Sequence, residues 1–266
     1  MKAGNREFLN HTYVMGILNV TPDSFSDGGK WNCIDGALRR TEQMIDEGAA
    51  VIDIGGESTR PNYTKISDAE EIERTSPIIE EIKKRFDIPV SIDTYKSAVA
   101  REALLKGADL VNDIWGFKYD INMAKTVKEF DAACCLMHNR KEAVYGDFMG
   151  DVLDDLKESI QIAKSAGISD NKIMTDPGIG FAKTLEQNLY LTSRAEELKK
   201  LGYPVLLGTS RKSMIGLTLD LPVTERLEGT LATTVMAVIK GCLFVRVHDV
   251  KENVRAVRMT EALLNS

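Results

Sequence analysis

IPVSIDT at 88–94 and DLVNDI at 109–114, joined by YKSAVAREALLKGA, read as strand, helix, strand. The first run is mostly apolar up to Asp93 and Thr94, and the second places Leu110 and Val111 before Asn112 and Asp113. That pattern suits strands of a parallel sheet whose faces are covered by helices. Gly107 stands where a glycine in left-handed conformation ends a helix. Working outward, similar runs occur at 14–20 and 50–55 on one side and at 133–138, 173–176, 204–210 and 243–248 on the other. The eight starts lie 36, 38, 21, 24, 40, 31 and 39 residues apart, so each interval holds one crossover helix.

The intervals carry helix signals of their own. Ile34, Ala37, Leu38, Met44 and Ile45 form an apolar stripe that stops at Gly48. Ser67 with Glu70, Thr184 with Gln187, and Asp249 with Glu252 have the spacing of reciprocal N-terminal caps. Gly202 and Gly241 are further stop signals, and Pro77 predicts a kinked or late-starting second helix. Eight such units without a linker predict a single-domain (β/α)8 barrel over 14–266. The 1–13 extension ahead of it would form a short strand or hairpin. An open doubly wound sheet is the alternative, weakened because no G-x-G-x-x-G follows the first strand.

Composition narrows the functional classes. The net charge of -6, without a basic tail, argues against a nucleic-acid partner, whose phosphates demand dense positive charge. No apolar stretch exceeds about nine residues, too short for a membrane span, and the N-terminus has no secretory core. Cys33, Cys134, Cys135 and Cys242 form no C-x-x-C pair, and adjacent strand residues such as Cys134 and Cys135 face opposite ways. They read as reduced, mostly buried thiols of a cytoplasmic protein.

In a barrel of this kind, chemistry gathers at the C-terminal strand ends. Those ends carry Asn19, Asp53 with Glu57, Asp93, Asn112, His138, Asp176, Ser210, and Arg246 with His248. Cations collect there too, although the chain is acidic: Arg60, Arg211, Lys212, Arg246 and His248. In one cleft they would suit an anionic, phosphorylated substrate. The connections 21–33 and 55–67 are long for plain links and read as lids or binding loops. No G-x-S-x-G, H-E-x-x-H or P-loop occurs, and there are three histidines, His11, His138 and His248. Positioning and electrostatics are therefore the expected catalytic means.

GILNVTPDSFSDGG, IDIGGESTRP, SIDT, VNDI, LMH, DPGIGF, TSRKSMIG and RVHDV each fall at a strand end, in this order. The chain from Val14 onward thereby resembles the dihydropteroate synthases. That family joins 4-aminobenzoate to a dihydropterin methyl diphosphate in folate biosynthesis, with Mg²⁺, and is a sulfonamide target. The resemblance implies a pterin site of Asp93, Asn112, Ile114, Met137, Asp176, Phe181, Gly208 and Lys212. It implies diphosphate contacts from Asn19, Arg60, Arg246 and His248, with Asn19 ligating Mg²⁺. It implies 4-aminobenzoate contacts from Phe25, Thr59, Pro61, Ser210 and Lys212, and catalytic roles for Asp93, Lys212, Arg246 and His248. A homodimer is implied as well. HNRKEAVYG at 138–146 matches no motif of the family. Two other readings stay open at this point: a pterin-dependent corrinoid methyltransferase, and a catalytically silent pterin-binding paralogue.

Overall fold

The computed structural model describes residues 1–20, 29–57 and 65–266, without the side chains of 29–32. A hairpin of β1 (Lys2–Ala3) and β2 (Arg6–Glu7) precedes the barrel. The chain then alternates: β3 (Tyr13–Asn19), α1 (Gly29–Asp46), β4 (Val51–Gly55), α2 (Asp68–Arg85), β5 (Val90–Asp93), α3 (Ser97–Leu105). It continues with β6 (Leu110–Asp113), α4 (Met123–Glu129), β7 (Ala133–Met137), α5 (Phe148–Ser165), β8 (Ile173–Asp176) and α6 (Leu185–Ser193). Last come β9 (Leu206–Leu207), α7 (Ser213–Leu219), α8 (Leu227–Ile239), β10 (Phe244–Val247) and α9 (Val250–Leu264).

All eight barrel strands pair in parallel, in the order β8-β7-β6-β5-β4-β3-β10-β9. A parallel bridge between Thr175 and Val205 closes β8 onto β9, so the sheet is a closed (β/α)8 barrel, not the open alternative. Closure leaves no unpaired edge, and period-two alternation divides every strand between two cores. Val14, Leu18, Ile52, Ile54, Val90, Ile92, Val111, Cys134 and Leu136 join the layer under the helices. Met15, Val51, Leu110, Cys135, Met174, Leu206 and Phe244 fill the interior. Cys134 and Cys135 fall in different cores, and all four cysteines are free.

The hairpin closes the N-terminal mouth. Ala3 and Phe8 belong to the interior cluster, and the Phe8 ring meets those of Tyr13 and Phe244 at 4.9 Å each. With one mouth filled by apolar groups, polar chemistry is left to the other.

Several sequence expectations shift. Six of the eight barrel strands end one to three residues early, most of all β9, which keeps Leu206–Leu207 of the expected 204–210, while β4 and β8 end where expected. Thr94, His138, Ser210 and His248 lie just past the ladder, whereas Asn19, Asp93, Asn112 and Arg246 stay in it. Helix α2 starts at Asp68 and runs through Pro77, so there is no late start. Ser67 accepts from the Glu70 amide, and Thr184 and Gln187 form the full reciprocal cap. Asp249 makes no side-chain cap on α9, because its carboxylate is held by Arg211 instead.

Candidate active site

At the open mouth, inward positions switch from apolar to polar one layer above the core. Asp93 pairs in register with Asn112, Met137 with Asp176, and Arg246 with Met15. From β10, Arg246 reaches over β3 to two carboxylates. Its Nε donates to Asp53 Oδ2 at 2.6 Å and its Nη2 to Asp93 Oδ2 at 2.5 Å. Burying a guanidinium is costly unless it is paired, and here it has two partners. Burial alone would lower the Arg246 pKa, but Asp53 and Asp93 reverse that and hold it above the usual arginine value. Burial raises the Asp93 pKa to about 7, against the opposing pull of Arg246. Asp53 Oδ1 and Asp93 Oδ1 are buried without a hydrogen-bond partner among the described residues.

Beside this pair lies an apolar wall. Ile114, Met137 and Tyr95 form a small buried cluster against which Trp115 and Phe181 pack. The Lys212 ammonium sits 4.5 Å from the Phe181 ring centre and donates to the Ile179 carbonyl. Burial lowers the Lys212 pKa to about 8, with Asp176 opposing, and burial raises that of Asp176. Asp176 Oδ1 accepts from the Gly178 amide at 2.6 Å, which fixes the carboxylate. A side chain at Gly208 would come within 3.7 Å of Asp176 Oδ2 and 3.9 Å of the Arg246 Cβ. Glycine there keeps the space between them open.

Across the mouth, Asn19 ends β3 half-buried, with its amide bonded to no other described residue. Its Oδ1 and Asp93 flank Gly55, each about 3.7 Å from where a Cβ would stand. Ser210 Oγ lies 3.0 Å from His248 Nδ1 and accepts from the His248 amide at 3.1 Å. A separate, open concavity of about 560 Å³ between α1 and α9 is lined by charges of both signs and by none of these residues.

A family model described as pterin binding enzyme matches residues 15–248. A dihydropteroate synthase of Clostridium beijerinckii is 60% identical, over 99% of both chains. The chain belongs to the dihydropteroate synthase family. It is accordingly a transferase of folate biosynthesis. The crystal structure of a dihydropteroate synthase from Clostridium difficile, in the presence of pteroic acid, superposes with a TM-score of 0.95 at 50% identity. That match covers 98% of this chain and 100% of the other. A Yersinia pestis dihydropteroate synthase in a sulfonamide drug complex gives 0.93 at 40% identity, covering 100% and 99%.

Within this dihydropteroate synthase fold, Asp93, Asn112, Ile114, Met137, Asp176, Phe181, Gly208, Lys212 and Arg246 converge on one mouth, with Asn19, Ser210 and His248 at its edge. Phe25, Thr59, Arg60 and Pro61 lie outside the described residues. Three rim assignments are corrected. His138 follows inward-facing Met137, so it turns out of the barrel, where it meets Asp155 at 3.0 Å and Lys183 at 2.9 Å. Glu57 points into a buried cluster with Tyr95, Lys96 and the Ile66 amide. Arg211 is not a free cation of the cleft, because it is paired with Asp249. Asp53 was legible as a rim carboxylate, but not its hold on Arg246. Lys183 and Asp155 gave no signal, since the residue that joins them, His138, is remote from both in sequence.

Proposed function

We propose that this chain joins 4-aminobenzoate to the diphosphate ester of hydroxymethyl-dihydropterin, releasing dihydropteroate and pyrophosphate at the strand-end mouth. One observation carries this reading. Fixed carboxylates, an amide and a lysine stand above an apolar wall, in a chain closely similar to a synthase crystallised with pteroic acid.

Asp176 accepts from the adjacent N–H donors of the pterin edge, while Asn112 and Lys212 hold its other polar atoms. Met137, Ile114 and Phe181 contact its faces, and their low polarity strengthens each hydrogen bond. The C–O bond to the diphosphate breaks with both electrons leaving on oxygen. Asp93 stabilises the methylene cation left behind, which its partnerless Oδ1 is free to face. Arg246, held in place by Asp53, faces the departing charge together with His248. The amine of 4-aminobenzoate, held by Ser210 and Lys212 with Phe25, Thr59 and Pro61, forms the new C–N bond and loses its proton to water or the released pyrophosphate. Arg60 completes the diphosphate contacts.

The donor set fits a Mg²⁺ ion held mainly by substrate. Among the described residues no cluster of three or more His, Cys, Asp or Glu side chains could hold a metal, yet Asn19 offers an uncommitted amide oxygen. One protein oxygen with phosphate and water is an ordinary Mg²⁺ environment. When bound, the ion neutralises charge on the leaving diphosphate.

We also place the chain in the cytoplasm as a homodimer. Four unpaired cysteines support the first. Exposed Leu217, Leu219, Ile239, Met259 and Leu263 on α7, α8 and α9 support the second. Among the described residues no helix is long and apolar enough to cross a membrane.

The test separates the two carboxylates. Asp176→Asn should weaken pterin diphosphate binding, because its contact is made in ground and transition states alike. Asp93→Asn should also slow the single-turnover rate at saturation, by about ten- to over a hundredfold. Equal binding losses with unchanged saturated rates would falsify that division of roles. Unaltered pterin binding in both variants would mean that the pocket lies elsewhere.

A further inference from the structure

Residues 177–183, after β8, form neither helix nor strand, and their backbone is unusual. Gly178, Gly180 and Ala182 all have positive φ, at 70°, 87° and 44°. For Ala182 this is the left-handed region that a Cβ disfavours. Gly178 is obligatory, since a Cβ there would lie 1.9 Å from the His138 carbonyl oxygen. Such a backbone persists only when its surroundings hold it. Here side chains hold its carbonyls. Lys183 Nζ donates to Gly178 O and Phe181 O, each at 2.9 Å, and Tyr145 donates to Ala182 O at 2.8 Å. Lys212 takes Ile179 O.

The third acceptor of the Lys183 ammonium is His138 Nδ1, at 2.9 Å. Burial first, then Lys183, lowers the His138 pKa to about 3, so the ring is neutral, while burial lowers the Lys183 pKa to about 7 against the pull of Asp176. Its Nε2 then donates to Asp155 Oδ2 at 3.0 Å, and that oxygen also accepts from Arg140 Nε at 2.6 Å. The segment after β7, which matched no family motif, therefore braces the turn after β8. The braced turn carries Phe181, part of the apolar wall, and the carbonyl that meets Lys212.

We propose that Lys183, seated on His138 and helped by Tyr145, is a positioning residue for the pterin subsite, and that the segment 138–145 thereby sets pterin affinity. The proposal rests on the pterin reading given above. Without the ammonium, two turn carbonyls and a ring nitrogen lose their donor, and Phe181 is no longer held against Lys212. Among the described residues the amine subsite meets this turn only at Lys212, through the Ile179 carbonyl and the Phe181 ring, while Ser210 bonds His248 instead.

The test compares Lys183→Met and Tyr145→Phe with the parent, by calorimetric titration of pterin diphosphate and by KM for 4-aminobenzoate. Lys183→Met should weaken pterin diphosphate binding roughly ten- to a hundredfold, the range for a buried charged hydrogen-bonding group. Tyr145→Phe should weaken it a few-fold, and KM for 4-aminobenzoate should stay within about twofold in both. Native pterin affinity in a folded Lys183→Met protein overturns the proposal, as do equal losses for the two substrates. Should Lys183→Met not fold, Tyr145→Phe decides: a loss confined to the pterin supports the brace, and unchanged affinity overturns it. Asp176→Asn run alongside keeps the two readings apart. If it weakens pterin binding while Lys183→Met does not, the brace fails and the pocket stands. If Asp176→Asn has no effect, the pocket reading fails and the brace falls with it.

Discussion

Arg246 and Asp93 show how one pair can serve both folding and chemistry. A guanidinium buried at a barrel mouth needs compensation, and Asp53 supplies it permanently at 2.6 Å from a fully buried position. Asp93 shares the same cation while keeping one oxygen without a partner. The pH dependence follows from these environments. With Asp93 raised to about 7, its ionised form is lost as pH falls through that value. With Lys212 lowered to about 8, its charged form is lost as pH rises through that one. The expected kcat/KM profile is a bell with its maximum between them, reporting the free enzyme. Lys212→Arg should flatten the alkaline limb, because arginine stays charged, and Asp93→Asn should remove the acid limb. Retention of both limbs in both variants would rule out this assignment. Single residues were readable where strand parity is unambiguous, as at Asp93, Asp176 and Arg246. Parity also explains the misreading of His138: the motif LMH ends on it, but only Met137 faces inward. Lys183 could not be read at all, since a lysine in a loop has no sequence mark of three waiting acceptors.

Among elements, the helices and strands were mostly visible, and their boundaries were not. Apolar runs mark where a strand can be buried, whereas the ladder stops where the chain must turn toward its helix. That difference trims β9 to two residues and leaves Gly208–Ser210 free to shape the mouth. Helix α2 presents the reverse case, an element that overrides a breaker. Pro77 is exposed within a helix running from Asp68 to Arg85, held down by buried Ile78, Ile79 and Ile82. Proline lacks the N–H that would reach back one turn, and costs about 3 kcal/mol against alanine in a helix interior. Its restriction of the unfolded chain returns up to about 1 kcal/mol. Pro77→Ala should therefore stabilise the protein by about 2–3 kcal/mol, raising Tm by roughly 2–4 °C for each kcal/mol. Thermal melts of the two proteins check this. A lower Tm in the variant would show that α2 is bent to suit proline and loses its packing when the bend is removed.

At the scale of the whole barrel, the two mouths divide the work. The C-terminal mouth gathers buried carboxylates, a lysine and an arginine, groups whose burial lowers stability unless each is paired. The N-terminal mouth is filled by Ala3 and Phe8 from the hairpin, packed on Tyr13 and Phe244. Between them lies the apolar interior of Met15, Cys135 and Met174, so the plug touches no residue of the site. Rigid strands therefore connect the two ends, and the plug should affect chemistry only by keeping the barrel folded. Phe8→Ala removes a buried ring and should cost about 3–5 kcal/mol. At 2–4 °C per kcal/mol, the expected fall in Tm is roughly 6–20 °C. Below the new transition, kcat and both KM values should stay within about twofold of the parent. Asp176→Asn should do the opposite, losing pterin affinity while its melting changes little. Measuring both variants by thermal melt and by steady-state kinetics at 20 °C makes the contrast direct. A large loss of pterin affinity in Phe8→Ala, well below its Tm, would mean that strain does pass along the strands from plug to site.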